Sequence, residues 1–167
     1  RDGKTLAFAS NRYGNFDVYT VPVTGGSPQR LTFHSSNDYP YDFTADGRSV
    51  GVGRSRNGNA ESARFHSPRV FQNLYSVKLG GGRPVLISAA GMEYARFNRD
   101  GSKLVFEDKK GFEDAWRKHH TSSVTRDIWI MDVKANTYKQ VSTFEGEDRN
   151  PVFSADDSMI YFLSEKN

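Results

Sequence analysis

The chain has no cysteine among its 167 residues, which excludes disulfide bridges, thiolate metal ligands and a cysteine nucleophile. Long apolar runs are also missing, since none approaches the roughly 20 residues that a membrane-spanning helix needs. Neither sign of charge dominates, because 23 Lys and Arg are balanced by 20 Asp and Glu and no block of like charge occurs. We therefore expect no membrane span and no nucleic-acid partner.

What the chain does contain is a high aromatic fraction, 13%, and a repeated turn. Each copy is Asp-Gly or a near-copy of it, followed by an alternating apolar strand, and the copies begin at Asp2, Asp46, Asp100 and Asp156. Their spacings are 44, 54 and 56 residues. A turn at a fixed phase of such a period predicts a stack of small β-sheets, one for each repeat.

The second repeat shows the order of strands within one unit. A short strand at 39–43 precedes the Asp46 turn, a second strand follows at 49–52, and a Gly-rich turn at 80–82 separates strands at 71–77 and 83–87. The other units repeat all or part of this order, with first-unit strands expected at 16–23 and 28–33. In total the pattern predicts about thirteen short strands and no helix.

This pattern predicts an all-β fold, a β-propeller fragment of about three to four four-stranded blades with partial blades at both ends. We expect a single propeller segment, 1–167, in which the repeat units are 1–38 (partial), 39–91, 92–146 and 147–167 (partial).

Burial should differ between the strands of a blade. Inner strands are expected to be continuously apolar, as 128–131 is, and outer strands polar, as 138–142 is. One phenylalanine precedes each of three turns, at Phe43, Phe97 and Phe153, and we expect these rings to fill the wedges between sheets.

The number of repeats is small for a closed propeller, which has four to eight blades. Two complete units with partial neighbours would leave sheet edges exposed. We therefore expect the chain to be part of a longer polypeptide, whose other blades cover these edges, or to self-associate through them.

The repeat resembles a known family in its motifs. The sequences Phe43-Thr44-Ala45-Asp46-Gly47, Phe97-Asn98-Arg99-Asp100-Gly101 and Phe153-Ser154-Ala155-Asp156-Asp157, with Gly25-Gly26 and Leu31-Thr32, are similar to the propeller repeats of the TolB and tricorn protease type. Longer stretches resemble the N-terminal propeller of tricorn-like serine peptidases of the C-terminal processing class. The departures are Ala45, Ala155, Arg99 and Asp157, where the family motif has Pro or Gly.

The resemblance implies a non-catalytic module of a larger serine protease that guides or filters peptide substrates and mediates assembly. Its partners would be peptides or proteins, the remaining blades and the protease domain. The catalytic residues of such enzymes lie in a domain outside this sequence, so no catalytic residue is assigned here. The company these repeats keep favours a periplasmic location. A TolB-like protein-binding propeller and the propeller of a prolyl-oligopeptidase-type hydrolase remain alternatives.

The stretch 114–123 contains Ser, His and Asp, the members of a nucleophilic triad, and Asp127 follows it. No constrained Gly-x-Ser-x-Gly turn accompanies them, so a blade-connecting loop is the favoured interpretation. His119 and His120 are adjacent, so in an extended chain their rings point to opposite sides and would not converge on one metal ion. We expect no metal site and no cofactor.

The same loop is the candidate ligand contact. Trp116, Arg117, Lys118, His119 and His120 would form a basic, pH-sensitive rim suited to a peptide carboxylate, with the indole anchoring the loop.

Three further features are interpreted structurally. The insertion 55–69 is polar and fits a solvated loop, and the acidic stretches 145–148 and 156–157 lack the spacing of a calcium loop. Gly80–Gly82 is followed by no Gly-Lys-Ser/Thr and is interpreted as a hairpin turn.

Overall fold

The computed structural model describes residues 2–54, 72–108, 110 and 123–166. In these ranges there are thirteen strands and no helix, as the sequence predicts, and hence no helix that could cross a membrane. The strands are β1 (Thr5–Ser10), β2 (Asp17–Pro22), β3 (Gln29–Arg30), β4 (Asp38–Phe43), β5 (Ser49–Arg54), β6 (Asn73–Lys78), β7 (Val85–Ser88), β8 (Met92–Phe97), β9 (Lys103–Asp108), β10 (Ile128–Asp132), β11 (Thr137–Gln140), β12 (Asp148–Phe153) and β13 (Ile160–Ser164).

These strands form four antiparallel sheets in which sequence neighbours pair. The first sheet is β1-β2-β3, the second β4-β5-β6-β7, the third β8-β9-β10-β11 and the fourth β12-β13. The first strands of the second, third and fourth sheets, β4, β8 and β12, each contact the preceding sheet. The predicted all-β, propeller-like fragment is confirmed, with two four-stranded sheets between two smaller ones.

The repeated aspartate closes its own turn by accepting a backbone N–H two residues ahead. The N···Oδ1 distances are 3.0, 3.0, 2.8 and 3.1 Å for Asp2, Asp46, Asp100 and Asp156. Such a bond replaces a backbone turn bond and explains why the residue recurs. Hydrogen bonds to the ionised form lower the pKa of all four carboxyls, to about 2 for Asp156, where the Ser154 hydroxyl contributes most.

Asp157, which replaces the motif glycine, adopts the glycine conformation. Its φ is 59°, against 65° for Gly47 and 76° for Gly101. Aspartate tolerates this left-handed region better than most side chains, so the departure from the family motif leaves the turn in place.

Two of the three phenylalanines before the turns, Phe43 and Phe97, pack between sheets as predicted. Phe97 is 8% exposed and belongs to the apolar cluster that includes Leu74 of the second sheet and Leu104 of the third. Phe43 packs against the cluster that joins the first and second sheets, and Phe153 is half-buried. Burying such a ring fully is worth about 1.5–3 kcal/mol, so Phe43 and Phe97 help to hold neighbouring sheets together.

Burial follows the predicted gradient from inner to outer strands. β10 is buried at Ile128 and Met131 and half-buried between them, whereas every residue of β11 is exposed. The outer strand of the first sheet is much shorter than the 28–33 expected from the sequence. It ends at Arg30, and one further backbone bond follows, from Leu31 N–H to the Val18 carbonyl at 2.8 Å. The backbone N–H of Val18 instead donates to the Thr32 hydroxyl at 2.9 Å, which takes the place of the next strand bond.

Candidate functional site

The strands β4, β8 and β12 share an irregularity at the same repeat position. The pairing with the second strand shifts between Pro40 and Asp42, between Glu93 and Arg96, and between Arg149 and Val152. A bulge of this kind bends a strand and redirects a side chain, and bulges are frequent beside functional sites.

Tyr94, inside the second of these bulges, has φ 51° and is 46% exposed. A bulky aromatic residue in the left-handed region is unusual, and a conformation of this kind costs about 1–3 kcal/mol. The fold therefore holds a tyrosine ring at the surface in a strained conformation.

This ring borders a cavity of about 540 Å³ between β4 and β8. Three tyrosines, a proline and an alanine line it, together with a carboxylate, a guanidinium and an amide. The lining residues are Ala9, Tyr39, Pro40, Tyr41, Gln72, Glu93, Tyr94 and Arg96. A concave site that combines aromatic rings with a few convergent polar groups is a usual form of a ligand site.

Tyr41 forms the floor of this tyrosine cavity. Its ring lies over Gly53, where an added Cβ would stand 2.3 Å from the ring, and its hydroxyl hydrogen-bonds Gln72 Oε1. The ring stacks on Tyr94 with centroids 6.0 Å apart and planes at 26°. Burial, together with Glu93, raises the pKa of the Tyr41 hydroxyl well above its ordinary value, so the floor stays neutral.

One wall of the tyrosine cavity is part of an ionic network. The guanidinium of Arg126 lies 3.3 Å from a carboxylate oxygen of Glu93, 3.3 Å from one of Glu107 and 3.5 Å from one of Glu147. Arg149 bonds Glu147 at 2.9 Å. These groups connect the third sheet to the fourth, and Glu93 belongs both to the network and to the cavity.

A second cavity, of about 430 Å³, lies toward the Asp turns and is bordered by β4, β8 and β12 residues. Its lining includes Asp42, Arg96, Arg99, Val152 and Asp157. Arg96 is common to both cavities, and in the described part of the chain no carboxylate forms an ion pair with it. The first strands of the second, third and fourth sheets, β4, β8 and β12, thus form a surface with two adjacent concave regions, the inner-strand surface.

The inner-strand surface presents aromatic rings and charged side chains. Within the described ranges no group of three or more His, Asp or Glu could hold a metal ion. Asp127, the carboxylate nearest the triad-like stretch, is engaged structurally: its carboxylate accepts the Lys110 ammonium, and its backbone N–H donates to Asp108. The arrangement supplies rings for stacking and charges for orientation.

The loop residues selected from sequence, Trp116 to His120, lie outside the described residues, as does the insertion 55–69. Sequence reasoning missed Tyr39, Tyr41 and Tyr94. A signal was present, since these aromatics stand two to four residues before the repeated phenylalanine, on the first strand of a unit. The Gly-rich segment 80–82 is a hairpin turn between β6 and β7, as predicted, with φ 82° at Gly81 and 120° at Gly82.

Comparison with known proteins places this geometry among propellers. The family model described as the tricorn protease N-terminal beta propeller domain matches residues 1–167. No curated protein matches.

Three solved structures share the fold at low identity. A putative TolB from Agrobacterium tumefaciens is 19% identical, with a TM-score of 0.73 over 96% of this chain and 50% of that one. The tricorn protease is 14% identical, with a TM-score of 0.59 over 97% and 14%. A prolyl endopeptidase is also 14% identical, with a TM-score of 0.57 over 89% and 22%. The chain thus spans about half the length of the TolB structure.

Proposed function

The chain belongs to the family of tricorn protease N-terminal β-propeller domains, and from this premise we propose that it guides or filters peptide substrates for a larger serine protease. In this role the segment is non-catalytic, and the reaction belongs to another domain of the parent chain. Peptides contact the inner-strand surface, first of all in the tyrosine cavity. A periplasmic location is proposed for the parent protease from the company that these repeats keep.

The single observation that carries this proposal is the strained, exposed Tyr94. The ring is 46% exposed although its neighbours Glu93 and Ala95 are 8% and 1% exposed. Strain of this kind persists where the surrounding structure enforces it and is concentrated at ligand sites. An aromatic ring presented beside a proline and two further tyrosines suits an extended peptide, whose side chains stack and whose amides bond the polar groups.

Substitution of Tyr94 in the full-length protein tests the proposal. Tyr94→Ala should weaken binding of an extended peptide about five- to thirtyfold, because an aromatic contact at a binding centre is worth about 1–2 kcal/mol. Tyr13→Ala is the matched control, since Tyr13 is 67% exposed and outside the cavity. Equal affinities of the two variants and the wild type would refute the assignment. The readouts are peptide affinity by fluorescence anisotropy and the cleavage rate of the same peptides.

The loop carrying Trp116, Arg117, Lys118, His119 and His120 is proposed as a further peptide contact, through its basic side chains. Replacing Arg117 and Lys118 together by Gln in the full-length protease should reduce selectivity for peptides with acidic side chains or free carboxyl ends. Unchanged selectivity would remove the loop from the proposed site.

Assembly is proposed to use the exposed strand β13. Tyr161 and Leu163 on this strand are 55% and 66% exposed, an apolar surface that a further sheet or a second copy would cover. Light scattering should therefore detect association of the 167-residue chain at high concentration. A monomer throughout the concentration range would contradict this part of the proposal.

A TolB-like protein-binding propeller is the second candidate, because the TolB structure has the TM-score of 0.73 over 96% of this chain. The two functions differ in the full-length protein: robust peptidase activity favours the protease, and protein binding without peptidase activity favours the TolB-like role.

A further inference from the structure

Two interfaces between neighbouring sheets differ in their chemistry at the same repeat position. The first joint is the interface between the second and third sheets, and the second joint is the interface between the third and fourth. In the first joint the ring of Tyr41 covers Gly53. One repeat later, 54 residues along the chain, these positions are Ala95 and Glu107. A small residue has replaced the ring, and a carboxylate has replaced the glycine. The second joint is therefore ionic where the first is aromatic.

Glu107 is the most buried of the three glutamates in this ionic joint, Glu93, Glu107 and Glu147. It is 1% exposed, and its Oε2 accepts the backbone N–H of Asn150 on the fourth sheet at 2.8 Å. Glu93 stands directly opposite on β8, in register with Glu107. Two like charges opposite each other on paired strands repel, and both share the guanidinium of Arg126.

The charges around Glu107 come from every element packed against it. Glu93 on β8 disfavours its negative charge, while Arg126 before β10 and Arg149 on β12 favour it. The hydroxyl of Tyr41 on β4 stays neutral and adds no charge. Glu147, before β12, competes for both guanidiniums. Asp148 on β12, 0% exposed, and Glu165 after β13 add two further carboxyl groups beside these guanidiniums. Acidic side chains therefore outnumber the two guanidiniums, and ionisation of Glu107 adds one more negative charge to the joint.

Burial is the largest influence and raises the pKa of Glu107 to about 7, with the hydrogen bond from Asn150 and the charge of Arg126 opposing it. The net charge of the joint therefore changes near neutral pH. Few side chains other than histidine change charge in this range.

Glu93 transmits this change to the tyrosine cavity. Its carboxylate lines the cavity and shares Arg126 with Glu107. When Glu107 loses its proton to solvent, Arg126 is divided among three carboxylates and neutralises Glu93 less. The wall beside Tyr94 then becomes more negative.

We propose that the ionic joint between the third and fourth sheets makes ligand selection by the tyrosine cavity depend on pH near neutrality. Above the transition the cavity favours peptides with a basic side chain, and below it this preference weakens. The inference rests on the proposed function, since it concerns the same cavity and the same class of ligand.

The test uses three synthetic peptides that differ only in a central Lys, Gln or Asp, with acetylated and amidated ends so that no terminus titrates. Affinities are measured for the full-length protein at about pH 6 and about pH 8, where Lys and Asp keep their charge. The ratio of the Asp-peptide Kd to the Lys-peptide Kd should rise about fivefold from the lower to the higher pH, as expected for one added charge at a distance of several ångströms.

Glu107→Gln should abolish this rise and hold the ratio near its low-pH value. Glu145→Gln is the matched control, because Glu145 is exposed and forms no ion pair with the described arginines; it should behave as the wild type. A fivefold rise that persists in Glu107→Gln would overturn the inference. A wild type that binds the peptides but shows no rise in the ratio would also overturn it.

A second measurement needs no substitution. The side-chain carboxyl carbon resonance of Glu107 should titrate with a midpoint near 7, and the ring resonances of Tyr94 should shift with the same midpoint. A Glu107 midpoint below about 5, near the ordinary value of a glutamate, would overturn the inference.

The outcomes separate the two proposals. Absence of peptide binding at either pH would overturn the proposed function, and the inference with it. Binding that Tyr94→Ala weakens, with no role for Glu107 in its pH dependence, would overturn the inference alone.

Discussion

The carboxylate of Asp157 accepts the backbone N–H of Arg99 through both oxygens, at 3.1 and 3.0 Å, and so ties the turn of the fourth sheet to the turn of the third. The residue that breaks the family motif thus gains a contact that glycine could not make. Its φ of 59° keeps the turn geometry at the same time.

Substitutions of Asp157 separate these two roles. Asp157→Gly keeps the backbone conformation and loses the inter-sheet bond, so the free energy of unfolding should fall by about 1 kcal/mol. Asp157→Ala loses both, so its free energy of unfolding should fall further, by about 2 kcal/mol, because alanine is strained at positive φ. Urea unfolding measures the order; equal stabilities of Ala and Gly variants would contradict the role of φ.

Gly53 is required by the ring above it. Gly53→Ala places a Cβ 2.3 Å from the ring of Tyr41, which must move into the cavity or strain the strand, so we expect a loss of about 1–3 kcal/mol. In a Tyr41→Ala background the same substitution should cost much less. Thermal unfolding of the four proteins in this cycle gives the coupling, and additive effects would show that the ring is not the obstacle.

Arg54 and Asp38 form a buried ion pair, 2% and 0% exposed, in which two guanidinium nitrogens bond the two carboxylate oxygens. Arg54→Met should destabilise the protein by about 3–5 kcal/mol, because the carboxylate is left buried without its partner. Adding Asp38→Asn should recover part of this loss. Chemical unfolding of the single and double variants is the measurement, and a double variant less stable than Arg54→Met would argue against the pair.

The turn aspartate Asp156 should contribute to acid sensitivity. Its folded pKa, about 2, lies below the ordinary value of 3.8. The stabilisation it provides is therefore complete above about pH 4 and is lost as the pH falls through about 2. Asp156→Asn should show a smaller loss of stability over this interval, measured by thermal unfolding at stepped pH. Parallel curves for the variant and the wild type would contradict the assignment.

Glu107 should act in the opposite direction. Its folded pKa, about 7, lies above the ordinary value of 4.5, so the unfolded chain releases this proton first. The free energy of unfolding should fall as the pH rises from about 4.5 to about 7, by at most about 3 kcal/mol. Glu107→Gln should remove this slope. Urea unfolding across the interval tests the sign, and a wild type that gains stability there relative to Glu107→Gln would contradict it.

Much of the fold follows from local sequence signals. The Asp turns and Gly turns are stereochemical requirements of a few adjacent residues, so their positions predicted the strands to within a few residues. The wedge role of Phe97 also followed from its phase in the repeat. The end of β3 at Arg30 did not follow from the repeat, because the Thr32 hydroxyl accepts a backbone N–H of β2 in place of a backbone carbonyl.

The candidate site was harder to find from sequence. Chemically suggestive residues at 114–123 drew attention to a loop, whereas the tyrosine cavity is assembled from Tyr41 and Tyr94, 53 residues apart. Their local signal is only their place two and three residues before a repeated phenylalanine. Their stacking depends on two bulges and on the glycine beneath Tyr41.

The sequence alone determined the architecture: four Asp turns at a regular phase, with apolar strands between them, specify stacked antiparallel sheets because turns and strand alternation are local properties. Only the tertiary structure decided what the joints between sheets contain. Whether Glu107 is an ordinary surface carboxylate or a buried one with a pKa near 7 depends on Glu93, Arg126 and Asn150, which reach it from three separate strands or loops. Burial and charge pairing are properties of the packed sheets, and no window of sequence contains them.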